Sequence, residues 1–377
     1  MNKRTAYNSN KYVHLMDKVN DLKNGKIIAP QFLMIYPMNA CNHLCNFCAY
    51  RVTNYSKGYH ADNVDLKDKI ANDLLVDLPR QFSEAGVKAL ECTGGGESLL
   101  HPKIKEFFRE INKYKLEGAL VTNGSMMDDE IIELIKDFAW VRLSINGEGK
   151  SYDEIQAPSP NKKFFQIGEI WEQLKKLNRV KSPKTIVGVS CIVTRYFVSE
   201  EGLDDLKVVT NANDLYALAK RAKEAGCDNV RFSLEFTDNI HESFDDIWPT
   251  VQEQMKLAKT LEDDTFTVFT LANERKKDRE INLKDKPYKE CRYTQFNAVI
   301  TASAEVTPCC TTSYSPGMAY GSLYEKEFKD IWFDRARFDK TRNIDVNSAE
   351  CNKCFMNDKN TLLEYMCEEE PLHINFP

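Results

Sequence analysis

Residues 32–48 read FLMIYPMNACNHLCNFC. The first part, Phe32 to Tyr36, is short, apolar and β-prone, the pattern of a buried strand. Directly behind it, Cys41, Cys45 and Cys48 stand in a Cys-x3-Cys-x2-Cys spacing. Three thiolates this close can grip a cubic iron–sulfur cluster by three of its irons. A saturated cluster takes four cysteines. Three leave one iron open, as a catalytic metal keeps a position open for substrate. The competing chemistry for such a loop is a zinc site, with His43 inside the run as a fourth ligand.

Outward from this run the chain alternates. Residues 10–24 read as a polar N-terminal helix. After the cysteine loop, helical periodicity over 66–85, 103–114, 128–137, 166–178 and 213–225 alternates with β-prone runs at Val87–Thr93, Gly118–Thr122, Trp140–Ile145, Thr185–Thr194 and Asn229–Glu235. Such alternation predicts a parallel sheet with right-handed crossovers. Counting Phe32–Tyr36 there are six strands, too few for a closed eight-fold barrel but enough for a partial one. In such a barrel, function sits where strands end. The first loop then carries the cysteines, the second Thr93-Gly94-Gly95-Gly96-Glu97, the third Thr122-Asn123-Gly124 and the fourth Ser144-Ile145-Asn146-Gly147, all on one rim.

Composition bounds the alternatives. The chain has 377 residues, 42% hydrophobic and 29% charged, with a net charge of −6. That describes a globular protein of one large barrel plus an appendage, or of two domains. No basic stripe favours nucleic acid. The longest apolar stretch near the front, FLMIY, is far too short to span a bilayer, and the N-terminus has no secretory apolar core. Twelve cysteines without such a signal point to a reducing, cytoplasmic compartment and to metal binding rather than disulfides.

The glycine run Gly94–Gly96 permits close approach of a ligand to exposed N–H groups, or simply a sharp turn. It lacks the spacing of a dinucleotide or P-loop motif. Glu97 adds a carboxylate at the rim that suits a cationic amine. Asn123 and Ser144 suit a carboxylate or hydroxyls, and Phe47 an aromatic base or plain packing.

Together, Cys41-x3-Cys45-x2-Cys48, the aromatic before the third cysteine and TGGGES after the second strand resemble the radical S-adenosylmethionine (SAM) superfamily, over residues 30–237. The resemblance implies that Cys41, Cys45 and Cys48 hold a 4Fe–4S cluster whose open iron chelates SAM. It also implies that SAM is cleaved to methionine and a 5′-deoxyadenosyl radical, with electrons from a flavodoxin- or ferredoxin-type donor. Gly95, Gly96 and Glu97 match the motif that meets the SAM amino group, and Asn123 and Ser144 match positions that contact its polar groups. Ser98 departs from the proline found after the Glu in many relatives.

A second constellation holds Cys291, Cys309, Cys310, Cys351 and Cys354. Between them AVITASAEVTPCC reads as a hairpin around Ser303, and GSLYEKEFKDIWFDRARF as a turn and an amphipathic helix. This stretch resembles the SPASM and twitch auxiliary cluster domains. The likeness lies in Pro308-Cys309 after a hairpin, Gly321-x-Leu323, and Ile331-Trp332 ahead of Cys351-x2-Cys354. Only Cys367 follows, thirteen residues on, so the shorter twitch form with one extra 4Fe–4S cluster is implied. Its ligands would be Cys291, Cys309, Cys351 and Cys354, with Cys309 preferred to Cys310 because it follows proline. Cys92, Cys191 and Cys227 read as core.

The expected organisation is an N-terminal extension at 1–27, a partial (β/α)6 TIM-like barrel at 28–237, a connection at 238–287 and a small α+β auxiliary domain at 288–377. The expected activity is a radical SAM oxidoreductase abstracting hydrogen from a small sugar, cyclitol or nucleoside-like substrate, with the auxiliary cluster taking up an electron. The alternatives are a peptide-modifying enzyme or an epimerase, and, in another class, a non-catalytic zinc or iron–sulfur interaction protein. Glu235, on the sixth strand, is a candidate substrate contact, and Cys367 a candidate hydrogen-atom donor.

Overall fold

The computed structural model describes residues 9–51, 63–156, 167–199, 206–235, 244–270, 286–348, 351, 354 and 356–367. Its strands are β1 (Phe32–Ile35), β2 (Ala89–Cys92), β3 (Glu117–Thr122), β4 (Trp140–Ser144), β5 (Ile186–Val193), β6 (Arg195–Ser199), β7 (Leu206–Thr210), β8 (Asn229–Leu234), β9 (Thr267–Thr270), β10 (Asn297–Ile300), β11 (Glu305–Thr307) and β12 (Gly321–Ser322). Its α-helices are α1 (Met16–Lys23), α2 (Asn72–Glu84), α3 (Ile104–Lys113), α4 (Asp129–Ile135), α5 (Lys150–Ile155), α6 (Ile167–Val180), α7 (Leu215–Glu224), α8 (Trp248–Lys259), α9 (Phe328–Trp332), α10 (Arg335–Arg342) and α11 (Asn357–Cys367).

Each barrel strand has two fates for its side chains, because successive residues point to opposite faces. In β1 and β2 the alternate residues Leu33, Ile35, Leu90 and Cys92 are fully buried, while Phe32, Met34, Ala89 and Glu91 are less so. The buried set meets the helices. α2 supplies Leu75, Leu78 and Phe82, and α3 supplies Ile104, Phe107, Phe108 and Ile111, apolar positions three and four apart that form one stripe. Asp128 caps α4 by accepting from the Ile131 N–H. α3 ends in a Schellman turn, with Leu116 N–H donating to Ile111 O at 3.1 Å and Lys115 in the left-handed region at φ 56°.

Among the described residues ten strands form one sheet, in the order β12-β11-β10-β1-β2-β3-β4-β5-β8-β9. From β1 through β5, β8 and β9 every neighbouring pair is parallel. This is the partial barrel expected, extended at one edge by β9, a strand beyond the six anticipated. β9 is four residues long and lies in the stretch read as a connection, too short for periodicity to mark it. At the other edge β10 pairs in parallel with β1, and β11 and β12 follow antiparallel. The auxiliary hairpin is thus hydrogen-bonded into the barrel sheet beside the strand that leads to the first cysteines. β6 and β7 make a separate antiparallel ribbon, also unforeseen.

A second, smaller core joins the auxiliary unit to the N-terminal segment through Val19, Leu22, Ile28, Tyr293, Phe296, Phe338 and Leu363. The Trp332 indole N–H donates to Ile28 O at 2.8 Å, and the Arg337 guanidinium lies over the Trp332 ring at 4.0 Å. The helix expected from residue 66 begins instead at Asn72. Before it, Ile70 N–H donates to Pro37 O and Asn39 N–H to Asp68 O, so residues 68–70 lie along the lead-in to the cysteine loop and satisfy its backbone there. No helix among the described residues is long and apolar enough to cross a membrane.

Candidate functional site

The loop after β1 carries Cys41, Cys45 and Cys48, and its own backbone curls it: Cys48 N–H donates to Cys45 O at 3.1 Å and Arg51 N–H to Cys48 O at 3.0 Å. Arg51 also reaches back through Nη2 to Cys41 O at 3.3 Å. Burial and then the neighbouring Glu97 push the Cys41 thiol up to about 11, against the Arg51 charge. Cys45 is pushed well above the usual thiol value by burial, then by Cys48 and Cys41, and Cys48 is raised by burial. Three thiols packed this way resist ionising together. Cationic metal centres reverse that, because coordination removes the protons and neutralises the thiolates. The donor set therefore fits an iron–sulfur centre. His43, the fourth ligand of the zinc alternative, is buried and pushed down to about 4 by desolvation; its Nδ1 lies 3.5 Å from Gln156 Nε2. Among the described residues no three His, Cys, Asp or Glu side chains gather where one metal ion would bind.

The loop after β2 is wedged against the cysteine loop. A Cβ on Gly94 would fall 2.0 Å from the Tyr36 ring, one on Gly95 2.2 Å from Asn39 Oδ1, and one on Gly96 2.0 Å from Ala40 O. Gly96 N–H donates to Met38 O at 2.9 Å and Glu97 N–H to Ala40 O at 3.0 Å. The glycines are thus required by contact between two protein loops. Glu97 lies within this junction, buried. Its carboxylate accepts from Leu99 N–H at 3.1 Å, Thr122 Oγ1 at 2.7 Å and Asn123 N–H at 2.8 Å; burial raises its pKa against these bonds. Asn123 donates to Asn42 Oδ1 at 2.9 Å, and Asn42 donates to Ser125 Oγ at 2.7 Å. So the residues expected at the ligand also lace the loops after β1, β2 and β3 together. Phe47 is half-buried in the cysteine loop, and Ser144 ends β4 beside Ser190 of β5.

Asn39, Asn42 and Gln156 were not anticipated. Gln156 accepts from Asn146 N–H at 2.7 Å and donates to Ser144 O at 3.0 Å, holding the loop after β4. The two asparagines lie on either side of Cys41 in sequence, which was the available signal. Gln156 had none.

On the sheet face opposite the helices, desolvation raises Glu91, opposed by the charges of Arg142, Lys359 and Arg231. Glu235, just past β8, is buried and accepts from the Thr194 hydroxyl; desolvation pushes it up to about 7.

The second constellation also converges. The charges of Cys309 and Cys354 act on Cys291, and those of Cys309 and Cys351 on Cys354; burial is the larger cause of each rise, to about 12 and about 11. Asn360 donates to Cys291 Sγ at 3.4 Å and Met356 N–H to Cys354 Sγ at 3.3 Å. Cys310 lies with Cys309 and Cys354 but also faces Glu91. Between the two cysteine groups Tyr36, Tyr50 and Tyr314 pack with ring centroids 5.9 to 6.3 Å apart. Tyr314 donates to Asn39 Oδ1 at 2.6 Å. Cys367 ends α11, where the charged groups around it are Arg292, Glu364, Lys23 and Glu290, none of them on the rim.

Fold and site define a parallel-barrel protein with cysteine centres on its first loop and in a sheet-linked appendage. Residues 35–190 match the model of the radical SAM superfamily, and residues 291–355 that of the SPASM iron–sulfur cluster-binding domain. The chain is a radical SAM enzyme with a C-terminal SPASM auxiliary cluster domain. It is 23% identical over 358 residues to the tungsten-containing aldehyde ferredoxin oxidoreductase cofactor-modifying protein of Pyrococcus furiosus, covering 87% of this chain and 88% of that protein. Among solved structures, SuiB of Streptococcus suis bound to S-adenosylmethionine is similar with a TM-score of 0.60 at 16% identity, covering 95% of this chain and 76% of SuiB. anSMEcpe bound to AdoMet is similar with a TM-score of 0.55 at 16% identity, covering 88% and 85%.

Proposed function

We propose that this enzyme modifies a residue within a peptide or protein chain. The observation that carries the reading is the likeness along nearly the whole chain, auxiliary unit included, to SuiB bound to the precursor peptide SuiA, with TM-score 0.59 over 96% of this chain. The likeness to anSMEcpe with AdoMet and the Cp18Cys peptide, TM-score 0.54, supports it. The small sugar, cyclitol or nucleoside anticipated from the sequence has less support. Cys41, Cys45 and Cys48 would hold the SAM-binding cluster, and Cys291, Cys309, Cys351 and Cys354 the auxiliary one. When bound, the first cluster and SAM supply one-electron cleavage of a carbon–sulfur bond and, through it, hydrogen-atom abstraction from substrate. A flavodoxin- or ferredoxin-type donor would deliver the electron.

The chain's own residues supply the setting. Gly95, Gly96, Glu97 and Asn123 fix the cysteine loop in place, and their remaining polar surface, with Ser144, would orient SAM. Glu235, with a pKa about 7, holds or takes a proton at neutral pH without large cost. The test is anaerobic reconstitution with iron, sulfide, reductant and SAM, measuring 5′-deoxyadenosine. A tryptic peptide mixture should stimulate its formation above the substrate-free rate. Stimulation by a panel of sugars, cyclitols and nucleosides, and not by peptides, refutes the proposal.

A further inference from the structure

Among the described residues, two buried donors beside the cysteine loop have no hydrogen-bond partner: the Tyr152 hydroxyl and the Arg51 Nε. Tyr152 is only 4% exposed. It sits on α5, and its ring meets the His43 ring edge-on, with centroids 6.2 Å apart. His43 lies within the cysteine loop and also abuts Gln156, one residue past the end of α5. α5 is therefore docked onto the loop, with Tyr152 directed at it. Beyond its own burial, the group that most perturbs the Tyr152 hydroxyl is the Cys45 thiol. Arg51 comes from the loop's other end, tethered by Nη2 to Cys41 O at 3.3 Å, and its charge acts on Cys41, Cys45 and Cys48 alike. An unpaired donor buried away from water costs about 1–3 kcal/mol, so two of them flanking one loop call for an acceptor.

We propose that the Tyr152 hydroxyl and the Arg51 Nε–H donate hydrogen bonds to the sulfur of the cluster held by Cys41, Cys45 and Cys48, and so raise its reduction potential. The inference rests on the assignment of a four-iron cluster to those cysteines. The physical reason is that reduction adds negative charge to the cluster. Donors aimed at its sulfur stabilise the reduced form more than the oxidised one. Both are positioning residues: they act through the cluster and need not touch substrate. Tyr152 stays protonated, because its burial raises its pKa.

The test compares Tyr152→Phe and Arg51→Lys, each combined with Cys291→Ala so that only the first cluster is present. Phe keeps the ring contact with His43 and removes only the hydroxyl. Lys keeps the charge and removes the Nε donor. Iron and sulfide are assayed first, and the midpoint is then read by redox titration of the reduced cluster's paramagnetic signal. Each variant should load iron like the Cys291→Ala parent and fall to lower potential. The expected loss is about a tenfold drop in the reduced-to-oxidised ratio at fixed potential, or about 59 mV for one electron. After exchange into deuterated water, the pulsed-resonance deuteron coupling to the cluster should weaken in Tyr152→Phe. An unchanged midpoint and an unchanged coupling overturn the donor role. Failure of Tyr152→Phe and Arg51→Lys to load iron also overturns it, since the residues are then structural. Absence of any cluster signal in the Cys291→Ala parent refutes the cluster assignment beneath it.

Discussion

Replacing Gly96 by alanine should remove one cluster and spare the other. The added Cβ would stand 2.0 Å from Ala40 O and 2.5 Å from Asn39 O. Ordinary carbon contacts begin near 3.5 Å, so one backbone must retreat by about 1.5 Å. The hydrogen bonds Gly96 N–H to Met38 O, 2.9 Å, and Glu97 N–H to Ala40 O, 3.0 Å, span the same junction and break with it. At about 1 kcal/mol each they contribute about 2 kcal/mol, before any backbone strain. The moving part is Ala40, immediately before Cys41, so the displacement falls on the ligand loop and leaves the auxiliary cysteines untouched. Reconstituted wild-type protein should carry about eight irons, and Gly96→Ala about four, with no cleavage of SAM. Gly168→Ala is the control: no described residue lies within 4 Å of its Cβ and no left-handed φ is involved. It should keep all its iron. A Gly96→Ala protein with about eight irons and wild-type 5′-deoxyadenosine formation refutes the view that the glycine run serves loop-to-loop contact.

Three other outcomes follow from the same geometry. Cys291→Ala should lower iron from about eight to about four per chain while the SAM-binding cluster's signal persists; loss of that signal instead contradicts the ligand assignment. Glu235 is raised from 4.5 to about 7 in the folded protein, so its stabilising contribution is complete below pH 4.5 and is lost as pH rises through 7. Glu235→Gln cannot ionise, and its stability relative to wild type should rise by about 3 kcal/mol between pH 4.5 and 8 in urea titrations; parallel curves would count against a buried carboxyl. Lys115 is exposed at φ 56°, the left-handed turn closing α3, so Lys115→Gly should raise stability by about 0.5–1 kcal/mol, read as a higher denaturation midpoint with unchanged slope.

Most of the barrel was legible in the chain because its elements carry strong local periodicity. α3 buries Ile104, Phe107, Phe108 and Ile111, and the strand at Trp140–Ser144 alternates as written. β9 and the β6–β7 ribbon were missed for a physical reason. All three are short; β9 becomes a strand by pairing with β8 across an intervening helix, whereas β6 and β7 pair only with each other, apart from the main sheet. Helix α2 starts late because residues 68–70 find backbone partners in the cysteine loop, a long-range alternative that propensity cannot see.

The site divides the same way. Cys41, Cys45 and Cys48 lie within eight residues, so chain geometry alone keeps their thiols close, and sequence spacing was sufficient to propose a metal–sulfur centre there. The glycines were also legible as glycines, but their purpose was not: that Gly96 faces Ala40 depends on β1 and β2 lying side by side in register. Likewise nothing local joins Cys291 to Cys354, places β10 against β1, or brings Tyr152 to Cys45 from more than a hundred residues away. Ligand type and loop chemistry are properties of neighbouring residues, and the sequence by itself determined them. Which donors surround the cluster loop, and how the auxiliary unit is fastened beside it, only the tertiary structure decided, because parallel pairing and burial bring together residues that no local pattern connects.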